Sequence, residues 1–359
     1  MSGKKKWTTG CLAKAESQEE YDAVMATVPK TVQPKKLAEF GYKYNDDGRL
    51  VQSINGKPFA WLGQKHYDKL GDAIVEEIYT IMRDKYGFKE VQVPLEEAEK
   101  GRPSCPIFLS PNWDTAKTVV FLCQGSGAVR PGMWARALCI NNSLKEGTIF
   151  SYLEECLSND WGVMVANPNE NGVLPPEKLP KGDLTPDQVE QYWLGTPDKD
   201  WKALARTRAQ NAEPIESSWR PEVHAQLCWD TFIAPKPRPT LIIAHSYGGK
   251  CTTALLRTRF ELFSTIVAGI ALTDAINDLK YRGEKKEHVS FMKAFSLNWV
   301  GSKKPLDTPE PPSEAGCTEV SSGHEVHEWT SASCQTSVFP FLKKKLEEFA
   351  SRPPPHKGG

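Results

Sequence analysis

The sequence predicts an α/β fold built on a central, mostly parallel sheet with helices on both faces. Three observations predict it. Four apolar runs of strand length, 118–123, 161–166, 241–244 and 265–272, are continuous rather than alternating, the pattern of strands buried on both faces. Helical stretches at 147–158, 222–232 and 250–260 stand between such runs, as the crossovers of parallel strands do. Each run also ends in glycine or polar residues: Gln124-Gly125-Ser126-Gly127, Asn167-Pro168-Asn169, His245-Ser246-Tyr247-Gly248-Gly249 and Thr273-Asp274. In open α/β sheets the carboxyl edge of the strands carries the site, so chemistry is expected along that edge.

Taken in order, residues 1–37 are polar and without periodicity, and read as an N-terminal tail. Tyr42 and Tyr44 alternate with polar residues before Asn45-Asp46-Asp47-Gly48, which marks a hairpin over 41–50. Tyr67, Leu70, Ile74, Ile78 and Ile81 recur at three- and four-residue steps, which predicts a helix over 66–86 capped by Gly87. A short strand over 89–94 follows. The stretch from about 170 to 236, with Pro175, Pro176, Pro180, Trp193, Trp201 and Trp219, is too long for a plain connection and is expected to supply a cap over the edge. Pro309-Glu310-Pro311-Pro312 marks a surface loop, 318–322 a last strand and 341–349 a charged terminal helix. Pro353-Pro354-Pro355 then opens a disordered tail over 350–359, leaving one domain over 38–349.

Composition narrows the function classes. Lys+Arg and Asp+Glu are both 45 in 359 residues, so the basic excess of a protein living on phosphate contacts is missing and direct nucleic-acid binding is not expected. The nine cysteines are odd in number, contain no C-x-x-C and sit partly in apolar runs, which suits reduced, buried thiols in an intracellular compartment. No apolar stretch approaches the ~20 residues that span a bilayer, and Lys4-Lys5-Lys6 has no apolar segment behind it, so no membrane or secretory role is expected. Residence is expected to be nuclear, cytoplasmic or both.

Ala244-His245-Ser246-Tyr247-Gly248 lies between a strand and a helix, the setting of a nucleophile elbow. There a strained turn lifts the serine hydroxyl above the sheet, and small flanking residues let strand and helix approach. Gln124-Gly125-Ser126-Gly127 ends an earlier strand, where the backbone N–H groups of Gly125 and Ser126 could join that of Tyr247 in an oxyanion hole. Neither a Walker loop nor a dinucleotide fingerprint is present, and no cofactor is expected. A triad in chain order then needs an acid and a histidine. Asp274 and Asp307 are the carboxylates at downstream strand ends, and His324 and His327 follow the last strand. The His-x-x-His spacing of 324–327 also suits a metal pair, but no third ligand accompanies it, so no metal is expected.

These blocks resemble the Argonaute-binding-protein-two (Arb-two) domain family, relatives of the α/β-hydrolases. The likeness runs over about 38–345 and rests on Phe40-Gly41-Tyr42, Gly125-Ser126-Gly127 with Arg130 and Trp134-Ala135-Arg136, Asn167-Pro168-Asn169, Trp229-Asp230, Ala244 to Gly249, Ala271 to Asp274, Asn298-Trp299-Val300, Pro305 to Thr308 and His327-Glu328. The resemblance implies an α/β-hydrolase-like fold, with the family's serine, acid and histidine at Ser246, Asp274 and His327. Where the family pattern has His-Gly before Ser-Gly, this chain has Gln124, and its insertion over 171–214 is longer. By resemblance the protein is a nuclear regulator in Argonaute and small-RNA, heterochromatin or co-transcriptional RNA-processing pathways, with protein partners drawn from small-RNA or chromatin machinery. The residues themselves point to an alternative: an active serine hydrolase acting on an ester, thioester or amide of a small molecule or peptide.

Overall fold

The computed structural model describes residues 22–23, 26–31, 34–173, 182–189, 212–277, 279, 284–312 and 316–351. The tails expected over 1–37 and 350–359 lie mostly outside the described residues, as do 174–181 and 190–211 of the expected cap. The chain divides into two compact units. One draws on Met1–Glu77, Ile140–Ser143 and Pro176–Asn211, the other on Ile78–Cys139, Leu144–Pro175 and Ala212–Gly359.

In the first unit, Tyr42–Tyr44 and Leu50–Gln52 form the expected hairpin, with Tyr44 opposite Leu50 and Gly48 at φ +71° in the turn. Asn45 Oδ1 accepts the Arg49 N–H there. Helix α1, Gln64–Asp84, belongs to the first unit up to Glu77 and to the second from Ile78. It fully buries Leu70, Ile74 and Ile78, the stripe its spacing predicts, and Gly87 at φ +68° turns the chain out of it.

The second unit is built on eight strands: β1 Lys89–Val93, β2 Cys105–Leu109, β3 Val119–Cys123, β4 Gly162–Val165, β5 Thr240–His245, β6 Val267–Thr273, β7 Ser296–Val300 and β8 Thr318–Ser321. Their order is β8-β7-β6-β5-β3-β4-β2-β1. Strands β3 to β8 run parallel, and β2 is reversed against both β4 and β1. The three central strands β3, β5 and β6 are buried throughout, which explains their unbroken apolar runs.

Side chains alternate between two layers. Phe121, Ile242, Ala244 and Leu272 join a core with helices α2 Pro221–Cys228, α3 Gly248–Thr258, α4 Phe260–Ile266 and α5 Lys286–Phe295. Helix α6, Thr330–Ala350, packs on β6, so closely that a Cβ on Gly269 would lie 2.8 Å from Lys345 Cβ. Within the described part of the insertion, Gly172–Val173 pairs with Glu213–Pro214, and α2 packs on α3 as part of a helical layer.

Three differences from the sequence reading have local causes. Strand β2 is missing from it because Pro106 argues against a strand. Pro106 is tolerated because β2 meets β4 only through Phe108 and Leu109. The terminal helix begins at Thr330 rather than 341 because Pro340 sits inside it, where proline normally marks an end. The run 265–272 is divided: Thr265 and Ile266 finish α4, and β6 starts at Val267 with a bulge before Gly269. Among the described residues, no helix is long and apolar enough to cross a membrane.

Candidate active site

The elbow is shaped by what glycine permits. Ser246 follows β5 at φ +52°, a left-handed conformation costing a non-glycine residue about 1–3 kcal/mol, and it persists only where its surroundings hold it. They do so here. The Ser246 N–H donates to Thr273 O (3.2 Å), and Ser246 O accepts the N–H groups of Ile276 (2.9 Å) and Gly249 (3.1 Å). A Cβ on Gly248 would lie 2.4 Å from Cys123 O and 3.3 Å from Ala244 Cβ, so a small residue is required at 248 and favoured at 244. A Cβ on Gly249 would lie 2.6 Å from Ile276 O.

The loop after β3 approaches from the other side. A Cβ on Gly125 would sit 2.8 Å from Ser246 Cβ and 3.2 Å from its Oγ, so the Gly125 backbone lies directly against the serine. Asn169 holds that loop, its Nδ2 donating to Gly125 O (2.6 Å) and Val129 O (3.1 Å). Among the described residues, the main-chain N–H groups of Gly125, Ser126 and Tyr247 have no hydrogen-bond acceptor. Gln124 is buried, and neither atom of its carboxamide has a partner.

Asp274 leaves β6 at φ +46°, with its N–H on Trp299 O (2.7 Å). Its Oδ1 accepts the Gly301 N–H (3.1 Å), and its Oδ2 pairs with His327 Nδ1 at 2.6 Å. Burial pushes the Asp274 carboxyl up, but the bonds from His327 and the Gly301 amide outweigh it, and the net shift is downward. The bond to Asp274 raises His327 against the opposing effect of burial. His327 Nε2 and Ser246 Oγ both lack hydrogen-bond partners among the described residues. Catalytic hydrogen bonds of this kind commonly tighten only when substrate binds.

The other candidates serve elsewhere. Asp307 accepts Trp299 Nε1 (2.8 Å) and Ser337 Oγ (2.6 Å), tying β7 to α6. His324 stacks on Trp329 at 5.2 Å, and its Nδ1 accepts the Val326 N–H (3.1 Å). His288 is buried beside Glu284. No group of three or more metal-ligating side chains occurs among the described residues. Eight of the cysteines are described, all free and seven of them buried.

Two residues gained no individual role from the sequence. Asn169 lies in the strand-end block Asn167-Pro168-Asn169, a position that does mark the active edge. His245, next to the serine, offers no signal beyond its place in the pentapeptide, because its contacts come from residues far away in the chain.

An eight-stranded, mostly parallel sheet, with a left-handed serine at a strand-to-helix turn and a carboxylate at the neighbouring strand end paired with a histidine on the turn before α6, defines a hydrolase-like α/β protein. The chain belongs to the Arb2 domain family, whose pattern matches residues 33–306. It is 36% identical over 326 residues to a Dictyostelium discoideum protein described as "Cotranscriptional regulator ARB2A homolog", covering 88% of this chain and 81% of that one. It is 30% identical over 349 residues to the Mus musculus "Cotranscriptional regulator ARB2A", covering 90% and 83%. Among solved structures it is similar to a histone deacetylase from Saccharomyces cerevisiae, with a TM-score of 0.46 and 13% identity over 78% of this chain and 99% of that chain.

Proposed function

We propose that this Arb2-domain protein carries a serine-hydrolase site for an acyl group held as an ester, thioester or amide of a small molecule or peptide, and uses it in co-transcriptional regulation. The observation that carries the reading is the 2.6 Å Asp274–His327 pair at the strand end beside the left-handed Ser246. In this mechanism Ser246 Oγ bonds to the substrate carbonyl carbon as its proton passes to His327 Nε2. The carbonyl electron pair moves onto oxygen, where the N–H groups of Gly125, Ser126 and Tyr247 receive it. Collapse expels the alcohol, thiol or amine, which takes the proton from His327. Water then repeats the sequence and releases the acid. Asp274 fixes the tautomer with the proton on Nδ1 and stabilises the imidazolium.

The regulatory setting rests on the relatives' descriptions as cotranscriptional regulators. It implies nuclear residence and protein partners of the small-RNA or chromatin machinery. The equal numbers of basic and acidic residues favour protein over RNA as the direct contact. Partners that co-purify through protein contacts survive nuclease treatment; their complete loss would point to RNA instead.

A fluorophosphonate probe tests the chemistry. Labelling of the wild type that disappears in Ser246→Ala supports the reading. An accessible but unlabelled Ser246 would make the site a binding module, and labelling that persists in Ser246→Ala would place the nucleophile elsewhere.

A further inference from the structure

His327 has a mechanical problem that Asp274 alone does not solve. It sits on a single turn, His327–Trp329, ahead of α6, and its side chain is 44% exposed. One hydrogen bond, from Nδ1 to Asp274, fixes one ring atom but leaves the ring free to rotate about that bond. A base must also present Nε2 in a set direction, so something has to hold the ring plane.

We infer that His245 is the positioning residue that does this, its buried ring forming the flat floor on which His327 lies. The inference rests on the serine-hydrolase reading. The two rings stack with centroids 4.7 Å apart and planes 29° from parallel. His245 is itself immobilised: Nδ1 donates to Thr273 O at 2.7 Å and lies 3.2 Å from Thr273 Oγ1. Thr273 Oγ1 is in turn 2.7 Å from Ser331 Oγ, and the Trp134 ring meets His245 edge-on at 6.0 Å. The floor therefore belongs to β5 and β6, two strands buried along their whole length, and transfers their rigidity to an exposed side chain.

The same geometry keeps His245 out of proton transfer. Its Nδ1 proton is committed to Thr273 O, and burial, with the neighbouring His327, brings its pKa down to about 4. It stays neutral while His327 takes up a proton, so the stack does not become a pair of like charges. The titratable groups around the two rings are Asp274, at the end of β6, and Glu328, on the turn of His327.

Two substitutions separate the ring face from the hydrogen bond. His245→Phe keeps a flat ring and loses the donor to Thr273 O. His245→Asn keeps a donor at the Nδ1 position and loses the face. The readouts are the rate of fluorophosphonate labelling, the melting temperature, and the titration of His327 followed by NMR through its Cε1 proton. If the floor positions His327, His245→Phe labels within about threefold of wild type, whereas His245→Asn labels at least about tenfold more slowly without loss of fold. In His245→Asn the His327 pKa also falls back toward its ordinary value near 6.5, because a swinging ring spends less time on Asp274. A wild-type rate and titration in His245→Asn would overturn the inference. So would a larger loss in His245→Phe than in His245→Asn, which would assign the effect to the Thr273 bond. If the wild type does not label, the hydrolase reading fails separately, and the His327 titration in the two variants still decides whether His245 holds the ring.

Discussion

Gly125→Ala tests how closely the oxyanion loop is built against the nucleophile. The added methyl would lie 2.8 Å from Ser246 Cβ, 3.2 Å from Ser246 Oγ and 3.3 Å from His245 Cδ2. Carbon atoms settle at about 3.5–4.0 Å, so an overlap of at least about 0.7 Å must be relieved. Ser246 cannot yield easily, since its N–H and O are bonded to Thr273, Gly249 and Ile276. Gly125 is not in the left-handed region, so the variant carries no intrinsic backbone penalty and the effect is steric. The loop must retreat against Asn169, taking the Gly125 and Ser126 N–H groups with it. A displacement approaching 1 Å costs about 10²-fold in a positioned reaction, and overpacking costs about 1–3 kcal/mol of stability. The assay is the second-order rate constant for fluorophosphonate labelling, with thermal unfolding in parallel. Gly127→Ala is the contrast: its Cβ meets nothing within 4 Å, but φ +109° makes it a backbone penalty without a clash. Labelling of Gly125→Ala at the wild-type rate would refute the placement of the oxyanion hole.

Further outcomes follow from the acid–base pair. Asp274→Asn offers an amide donor to His327 Nδ1, forces the proton onto Nε2 and lowers the labelling rate by about 10³–10⁴-fold; a loss under about tenfold would remove Asp274 from the triad. Asp307→Asn weakens the tie between Trp299 and Ser337 and costs about 1 kcal/mol of stability, with no change in labelling; slower labelling in a folded Asp307→Asn would count against the assignment. Stability carries a pH signature. The raised His327 contributes fully below its unfolded pKa near 6.5 and loses that contribution as pH rises through its folded pKa. The lowered Asp274 contributes above its unfolded value near 3.9 and loses it as pH falls through its folded pKa. The pair therefore stabilises most between about pH 4 and 6.5, by no more than about 1 kcal/mol because both side chains are partly exposed. Unfolding free energies of wild type and Asp274→Asn that differ equally at pH 5 and pH 9 would contradict this.

Local chemistry made much of the molecule legible in advance. The unbroken apolar runs of β3, β5 and β6 read as strands covered on both faces, and the three- and four-residue spacing after His66 reads as an amphipathic helix. The small residues around Ser246 marked a turn where helix and strand nearly touch. Such signals are complete within a few neighbouring residues. Where one residue sends a misleading local signal, as Pro106 does in β2 and Pro340 in α6, the reading failed, because sheet position and helix packing override propensity. The acid and the histidine are a different kind of problem. Asp274 and Asp307 both follow strands, and His324 and His327 lie on one short loop, so spacing alone could not separate them; the family resemblance favoured Asp274 and His327. Only the parallel packing of β5 beside β6, and of β6 beside β7, brings Asp274 to within 2.6 Å of a histidine 53 residues further on, while Trp299 and Ser337 occupy Asp307. The stacking of His245 under His327 is likewise tertiary, since it depends on the end of β5 meeting a turn 82 residues further along the chain.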